Sequence, residues 1–555
     1  MKLTPESITT IKKALKTLGP VAGVMAAIAF LNALMNFSYP SGDNHIGRLL
    51  LFSPEIFVIL IFLCLGAALR LAFDTTVVLP LTLVIIFLRL FRLADSFVPA
   101  YFFRPFNLYL DSQFLPDLVF LLYSTVSLKV FCIGSLLTVL AFGLIGWGIS
   151  RALKAIFTFF NRRRQGRVFA AATVLVGLLI YSLNPWTTRQ TQVIFAPGIV
   201  HRVAAEIDFI LQLSDTIKKN RAVLDGAVHK GRQYQQPLAK LMGRDVYVFF
   251  IESYGHTVFA DPRHFPLITP FLQDAGHKLE EHGFQICSNF LKSPAFGGSS
   301  WLAHGALASG VTISSQLQYD LLLTSRVQPM AEYLNRAGYR TVSVMPGTLW
   351  PWSAGKFYKY RKKYYAPDFD YRGPKFGWAP MTDQYVLDAI YRAEIQNRTQ
   401  PLFIEFVLIS SHAPFNELPR YVPDWSAIGD GSIYHRQKPL KFPTTWPELE
   451  NASEAYLASI KYEFQVLVGF LEQMLTGDEM IIIMGDHQPN LKITGETQPW
   501  SVPVHVISRN PNFVRPFIKR GYTPGLIPSQ APPHAGIESV FWSLLEEFSD
   551  TAFQK

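Results

Sequence analysis

Residues 480–489 read Met-Ile-Ile-Ile-Met-Gly-Asp-His-Gln-Pro: five apolar residues, then a glycine, an acid and a histidine in immediate succession. A short apolar run that stops at turn residues has the length of a buried strand rather than a helix. Four further runs share this character: Val246–Ile251, Thr341–Met345, Leu402–Ile409 and Val502–Ile507. Helical periodicities separate them. Strands alternating with helices predict an α/β domain whose mostly parallel sheet is covered on both faces. In such sheets ligands bind beyond the carboxyl ends of the strands, so the residues just after each run are the ones that bear on function.

Val246–Ile251 is followed by Glu252-Ser253-Tyr254-Gly255, Leu402–Ile409 by Ser410-Ser411-His412-Ala413-Pro414, and the fourth run by Gly485-Asp486-His487-Gln488-Pro489. Taken singly, Glu252 is more readily a solvated strand end, His412 a loop histidine and Asp486 a turn residue. Together they bring two carboxylates and imidazole nitrogen to one sheet edge, a donor set that suits Mn, Zn or Mg. A fourth element, Phe296-Gly297-Gly298-Ser299-Ser300-Trp301-Leu302-Ala303-His304, places glycines and hydroxyls ahead of a small, apolar helix. Glycine lets the backbone approach a reacting group, and the positive end of a helix dipole favours an alkoxide or a phosphate. A serine here can also be a plain helix cap. Ser253, Asp383, His304, His505 and His534 are further polar residues suited to an outer shell.

The rest of the chain reads differently. Of its 555 residues 49% are hydrophobic, high for a soluble protein, and the apolar residues concentrate in the first third. Five stretches, near 18–38, 51–72, 75–93, 126–150 and 167–185, approach the roughly 20 apolar residues that a helix needs to cross a bilayer. Lys2, Lys12, Lys13 and Lys16 precede the first, and Arg151, Lys154, Arg162, Arg163, Arg164 and Arg167 separate the last two. The positive-inside rule puts both clusters in the cytoplasm. An odd number of spans then carries everything after about Pro185 to the opposite side, and the first span reads as an uncleaved anchor.

The expected organisation is a five-helix transmembrane bundle over 1–185, an amphipathic helical linker over 186–243 and an extracytoplasmic domain over 244–550. The linker pattern rests on Ile207, Ile210, Leu211, Leu213 and Ile217. The formal charge of +10 is explained by basic residues flanking apolar segments, which fits anionic lipid and argues against nucleic acid. Three cysteines, Cys64, Cys132 and Cys287, give the globular part no disulfide framework.

Through these motifs the chain resembles the membrane-anchored, sulfatase-like phosphoglycerol transferases typified by lipoteichoic acid synthase, within the alkaline phosphatase superfamily. The resemblance covers the spans, the helical tether and the catalytic domain in order. It implies one divalent metal (Mn, Zn or Mg) held by Glu252, Ser299, Asp486 and His487, with Ser299 as nucleophile and His412 beside the substrate phosphate. It also matches Ala455–Phe464, with Tyr456 and Tyr462, to the helix before the Asp-His strand. The implied reaction transfers a phospholipid headgroup to an envelope glycan or lipid acceptor through a covalent phospho-Ser299 intermediate. The implied location is the inner (cytoplasmic) membrane, multi-pass, with the catalytic domain in the periplasm.

The sequence departs from the family pattern at several positions. Serine replaces the usual threonine at 299, and the adjacent Ser300 is the alternative nucleophile and a substrate-binding candidate. After the second strand stand Met345-Pro346-Gly347-Thr348-Leu349-Trp350 in place of the histidine, glycine and asparagine common in the transferases, so Trp350, Trp352, Lys356 and Arg361 are expected to line a different headgroup pocket. Such an aromatic, basic loop also suits a membrane interface. Sulfatases use a Cys/Ser-x-Pro/Ala-x-Arg motif that is missing after Ser299. Phosphoethanolamine transferases share the metal set but usually carry disulfides, which ranks that headgroup second to phosphoglycerol as an alternative. Remaining alternatives are a hydrolase of the same fold and an inactive membrane scaffold. A transporter is disfavoured by the few charges within the spans and by the lack of an internal repeat.

Overall fold

The computed structural model describes residues 5–37, 46–49, 51–102, 104–162, 196, 198–234, 236–444, 452–495, 499–529 and 535–550, with scattered positions between 168 and 182. The chain divides into two compact units, residues 1–100 with 104–213 and residues 101–103 with 214–555.

Among the described residues three helices are long and apolar enough to cross a membrane: Gly19–Asn36, Thr75–Phe102 and Leu128–Asn161. They coincide with three of the expected spans. The stretch at 51–72 forms a helix over Pro54–Ala68 of 15 residues, short of the roughly 20 needed to span. The fifth stretch, 167–185, falls largely outside the described residues. Three of the five expected spans are thus helices of spanning length among the described residues. Ion pairs form within this apolar unit: Arg202 Nε lies 2.7 Å from Asp95, and Arg92 3.9 Å from the buried Glu55. The expected linker contains one long helix, Val200–Gly231, on which Ile207, Ile210 and Leu211 are exposed.

The second unit is built on one eight-stranded sheet. In chain order its strands are β1 (Val246–Ile251), β2 (Gln285–Lys292), β3 (Arg340–Met345), β4 (Lys362–Tyr365), β5 (Leu402–Leu408), then β8 (Met480–Gly485), β9 (Ser501–Ser508) and β10 (Thr523–Pro524); β6 (Glu417–Leu418) and β7 (Leu440–Lys441) form a separate ribbon. The order is β10-β2-β9-β8-β1-β5-β3-β4. The block from β8 to β4 is parallel, and β9, β2 and β10 add an antiparallel edge. The five expected strands are all present. β2 escaped notice because Ser288 and Asn289 interrupt its apolar pattern. Within this mostly parallel sheet β9 runs antiparallel to β8.

Alternation along a strand sends successive side chains to opposite faces. On β1, Tyr247, Phe249 and Ile251 enter one core with helices Phe265–Glu281, Asp383–Ile390 and Ser453–Met474. Val246, Val248 and Phe250 enter the other, with helices Ser300–Ser309, Pro511–Lys519 and Ser539–Phe548. All six β1 residues are buried, each large one stabilising the fold by about 1.5–3 kcal/mol. Register pairs Phe249 with Phe406, whose rings stack with centroids 4.7 Å apart. This fully buried centre holds the exits of β8, β1 and β5 side by side.

Candidate metal centre

The parallel register places Ile251 beside Gly485 on β8 and Leu408 on β5, so Glu252, Asp486 and the Ser410–His412 turn leave the sheet as neighbours. Ligand atoms of Glu252, Asp486 and His487 lie within 4.8 Å of one another. His487 Nε2 is 3.3 Å from Glu252 Oε1 and 3.4 Å from Asp486 Oδ2. Nε2 is buried and has no hydrogen-bond partner, an unusual condition for an interior polar atom. Its other nitrogen, Nδ1, lies 2.7 Å from the Gln488 carbonyl oxygen. A carbonyl only accepts, so Nδ1 carries a proton and Nε2 is the coordinating atom when the ring is neutral.

Electrostatics point the same way. Burial alone would raise the Glu252 carboxyl, but the adjacent His487 charge and hydrogen bonding drive it well below the usual carboxylate range. Burial and the Glu252 charge push Asp486 up to about 7. For His487 burial acts downward, yet the Asp486 and Glu252 carboxylates push it up to about 9. Two carboxylate oxygens and one imidazole nitrogen thus converge where a positive charge is strongly favoured. These residues fit a divalent cation such as Zn, Mn or Mg.

The Phe296–Ser300 loop is tied to this cluster through the backbone. Phe296 bridges Gln488, and Gly297 N–H donates to the Gln488 carbonyl at 2.9 Å. Gly297, Gly298 and Ser299 have φ of 67°, 147° and 64° in succession. Glycine adopts such angles freely, whereas a serine there is strained by roughly 1–3 kcal/mol. Ser299 stands at the N-terminus of the Ser300–Ser309 helix, yet its hydroxyl makes no capping bond. The simple helix-cap reading of Ser299 therefore fails. Ser300 is the first helical residue.

His412 Nδ1 lies 2.7 Å from the Ala413 carbonyl oxygen, and its ring stacks on Trp378 with centroids 3.9 Å apart. It is close enough to Glu252 to help lower that carboxyl. Ser411 Oγ donates to the Glu252 carbonyl at 2.7 Å. Gly347, after β3, sits against Trp378 and Ile409. Trp350 and Lys356 occupy the following loop, both exposed.

Of the outer-shell candidates, Ser253 hydrogen-bonds both acids of the cluster: its N–H donates to Asp486 at 2.8 Å and its hydroxyl to Glu252 at 3.0 Å. Asp383 accepts from Ile409 and Ser410. His304, on the Ser300–Ser309 helix, pairs through Nδ1 with Glu405 of β5 at 3.0 Å. His505 is a core residue bonded to Ser288 and Tyr254, and burial lowers it to about 3. His534 lies outside the described residues. Trp378 and Gln488 were missed, since an aromatic stack and a backbone bridge leave no local sequence signal. Tyr456, on the expected helix, donates to the Ser253 carbonyl at 2.8 Å.

The family model described as Sulfatase matches residues 306–514, a span containing His412, Asp486 and His487 and beginning after Glu252 and Ser299. Over these residues the α/β second unit is similar to the Sulfatase family. No curated protein shows a sequence match. Among solved structures the chain is similar to the lipoteichoic acid synthase LtaP of Listeria monocytogenes, at 14% identity over 49% of this chain and 67% of that one, with a TM-score of 0.32. It is similar to the Streptococcus pyogenes phosphoglycerol transferase GacH in complex with sn-glycerol-1-phosphate, at 11% identity, 60% and 91% coverage and a TM-score of 0.35. A third is the C-terminal periplasmic domain of EptC from Escherichia coli in complex with Zn, at 16% identity, 48% and 73% coverage and a TM-score of 0.32.

Proposed function

We propose that this chain is a membrane-anchored, metal-dependent transferase that moves a phosphoglycerol-type headgroup from a phospholipid to an envelope glycan or lipid acceptor. The observation that carries this reading is the buried Glu252–Asp486–His487 cluster, with Ser299 held in a strained, uncapped conformation on a loop bridged to Gln488. The apolar helices of the first unit and the Sulfatase match support it. The basic residues flanking those helices support a periplasmic location for the second unit, where a lipid is the natural donor.

Glu252, Asp486 and His487 would hold the ion together with Ser299 Oγ. A bound divalent metal supplies positive charge that favours a serine alkoxide and screens phosphate oxygens. Ser299 Oγ then attacks the headgroup phosphorus; the O–P bond forms as the bond to the diacylglycerol oxygen breaks. His412, held by Ala413 and Trp378, delivers a proton to that departing oxygen. An acceptor hydroxyl next attacks phospho-Ser299, His412 takes up its proton, and Ser299 is regenerated. The positive end of the Ser300–Ser309 helix faces the same charge development. Trp350 and Lys356 are assigned to the headgroup, and Ser300 to substrate contact.

The test is headgroup release from phosphatidylglycerol vesicles by the full-length protein loaded with Mn or Zn. Turnover abolished in Ser299→Ala, with metal content retained, is the expected result. Equal turnover in Ser299→Ala, or none by the parent under any metal, would overturn the assignment.

A further inference from the structure

Behind the turn that carries His412 lie two carboxyl groups, both 0% exposed: Asp383 and Glu463. Asp383 begins the Asp383–Ile390 helix and accepts from the backbone N–H groups of Ile409 at 3.0 Å and Ser410 at 2.6 Å. Glu463 lies within the Ser453–Met474 helix and accepts at Oε1 from the Ser411 N–H at 3.2 Å. The two carboxyls are within hydrogen-bonding reach of each other. Two helices from different parts of the chain therefore aim acids at three consecutive residues leading into His412.

Two ionised carboxylates in contact inside a low-dielectric core repel strongly, and such pairs instead share a proton. The neighbouring Tyr462 hydroxyl and Glu463 Oε2 are both buried without a hydrogen-bond partner. An oxygen that carries a proton of its own needs an acceptor rather than a donor, and Asp383 is that acceptor. We infer that Glu463 is a neutral acid whose Oε2–H donates to ionised Asp383, and that this pair is a positioning device for the Ile409–His412 turn. Burial raises both groups; the adjacent Asp383 charge raises Glu463 well above its usual range, whereas the hydrogen bond from Glu463 holds Asp383 down.

The consequence reaches the candidate site along two routes. The turn fixes where His412 stands against Trp378. It also presents Ser411, whose hydroxyl donates to the Glu252 carbonyl, so the pair braces the backbone of a proposed ligand. The assignment of His412 as a substrate-facing group rests on the reading above; the shared proton does not.

The test uses the full-length, metal-loaded protein with Glu463→Gln, Glu463→Leu and Asp383→Asn. A glutamine amide reproduces the acid: its oxygen accepts from Ser411 and its N–H donates to Asp383. At neutral pH the parent should show an infrared band of a protonated, deuterium-sensitive carboxylic acid that disappears in Glu463→Gln. Turnover in Glu463→Gln should stay within about threefold of the parent, while Glu463→Leu and Asp383→Asn fall by about tenfold or more at unchanged metal content. A band that persists in Glu463→Gln, or Gln as damaging as Leu, would overturn the inference. If Glu463→Leu does not fold, the Glu463→Gln spectrum still decides. The band is read without substrate, so failure of the transferase reading leaves that result standing, and a parent that turns over without the band sinks the pair alone.

Discussion

The backbone N–H of Ser253 donates to Asp486 Oδ1 at 2.8 Å, linking the exits of β1 and β8 across the centre of the sheet. The N–H of His487 reaches the same oxygen at 2.7 Å. Oδ1 is thereby occupied, and Oδ2 is the atom turned to His487 Nε2. Asp486 thus has a structural oxygen and a coordinating one. An Asp486→Asn variant keeps an acceptor for both amides but replaces the coordinating oxygen with a donor. It should fold as the parent does and bind Mn or Zn at least about a hundredfold more weakly, measured by elemental analysis and titration of the purified protein. Unchanged metal content in Asp486→Asn would count against the site.

Proton competition gives a second expectation. Metal binding needs His487 neutral and Asp486 ionised, whereas the cluster's own charges and burial raise them to about 9 and about 7. Below pH 9 one proton must leave for each ion bound, and below 7 a second. The apparent Kd for Mn should therefore rise by about tenfold per unit from pH 8 to 7 and more steeply from 7 to 6. Calorimetric titration across that range would register it, and a flat profile would exclude these ligands.

The stack of Trp378 on His412 makes a prediction that separates catalysis from metal binding. Trp378→Ala frees the imidazole face while touching none of the three proposed ligands. Turnover should fall by about tenfold or more, since small misplacement of a reacting group is costly, with metal stoichiometry unchanged. Loss of metal in this variant would mean that the stack supports the whole site instead.

Gly485 is the last residue of β8, and a Cβ there would collide with the backbone carbonyl of Tyr254 and its Cβ. Backbone cannot swing aside as a side chain does, so the exits of β1 and β8 must separate. Gly485→Ala should lower stability by about 1–3 kcal/mol and weaken metal binding together with it. Thermal unfolding and metal titration of the same preparation test the pairing of the two effects.

Strands and chemistry differed in how far they could be read along the chain. β1 and β8 were legible as unbroken apolar runs of buried parallel strands, β3, β5 and β9 because β-branched and aromatic residues carry the pattern past Ser343, Glu405 and His505, and Glu252, His412 and Asp486-His487 because they sit at the ends of such runs. β2 was hidden because Ser288 and Asn289 break its pattern: Ser288 is satisfied by His505 across the sheet, a partner 217 residues away. The left-handed conformation of Ser299 was hidden too, since nothing in Gly-Gly-Ser-Ser states which residue will be strained.

The sequence by itself determined the division into an apolar helical part and an α/β part, and which residue types would meet at the strand exits. Those follow from local composition and period, which act over a few residues at a time. Tertiary structure alone decided that Asp486 would present Oδ2, that Trp378 would stack on His412, and that Asp383 and Glu463 would meet beneath its turn. Each of these depends on the register of β8, β1 and β5 and on helix packing, where contacts join residues distant along the chain and only the closed core sets the distances.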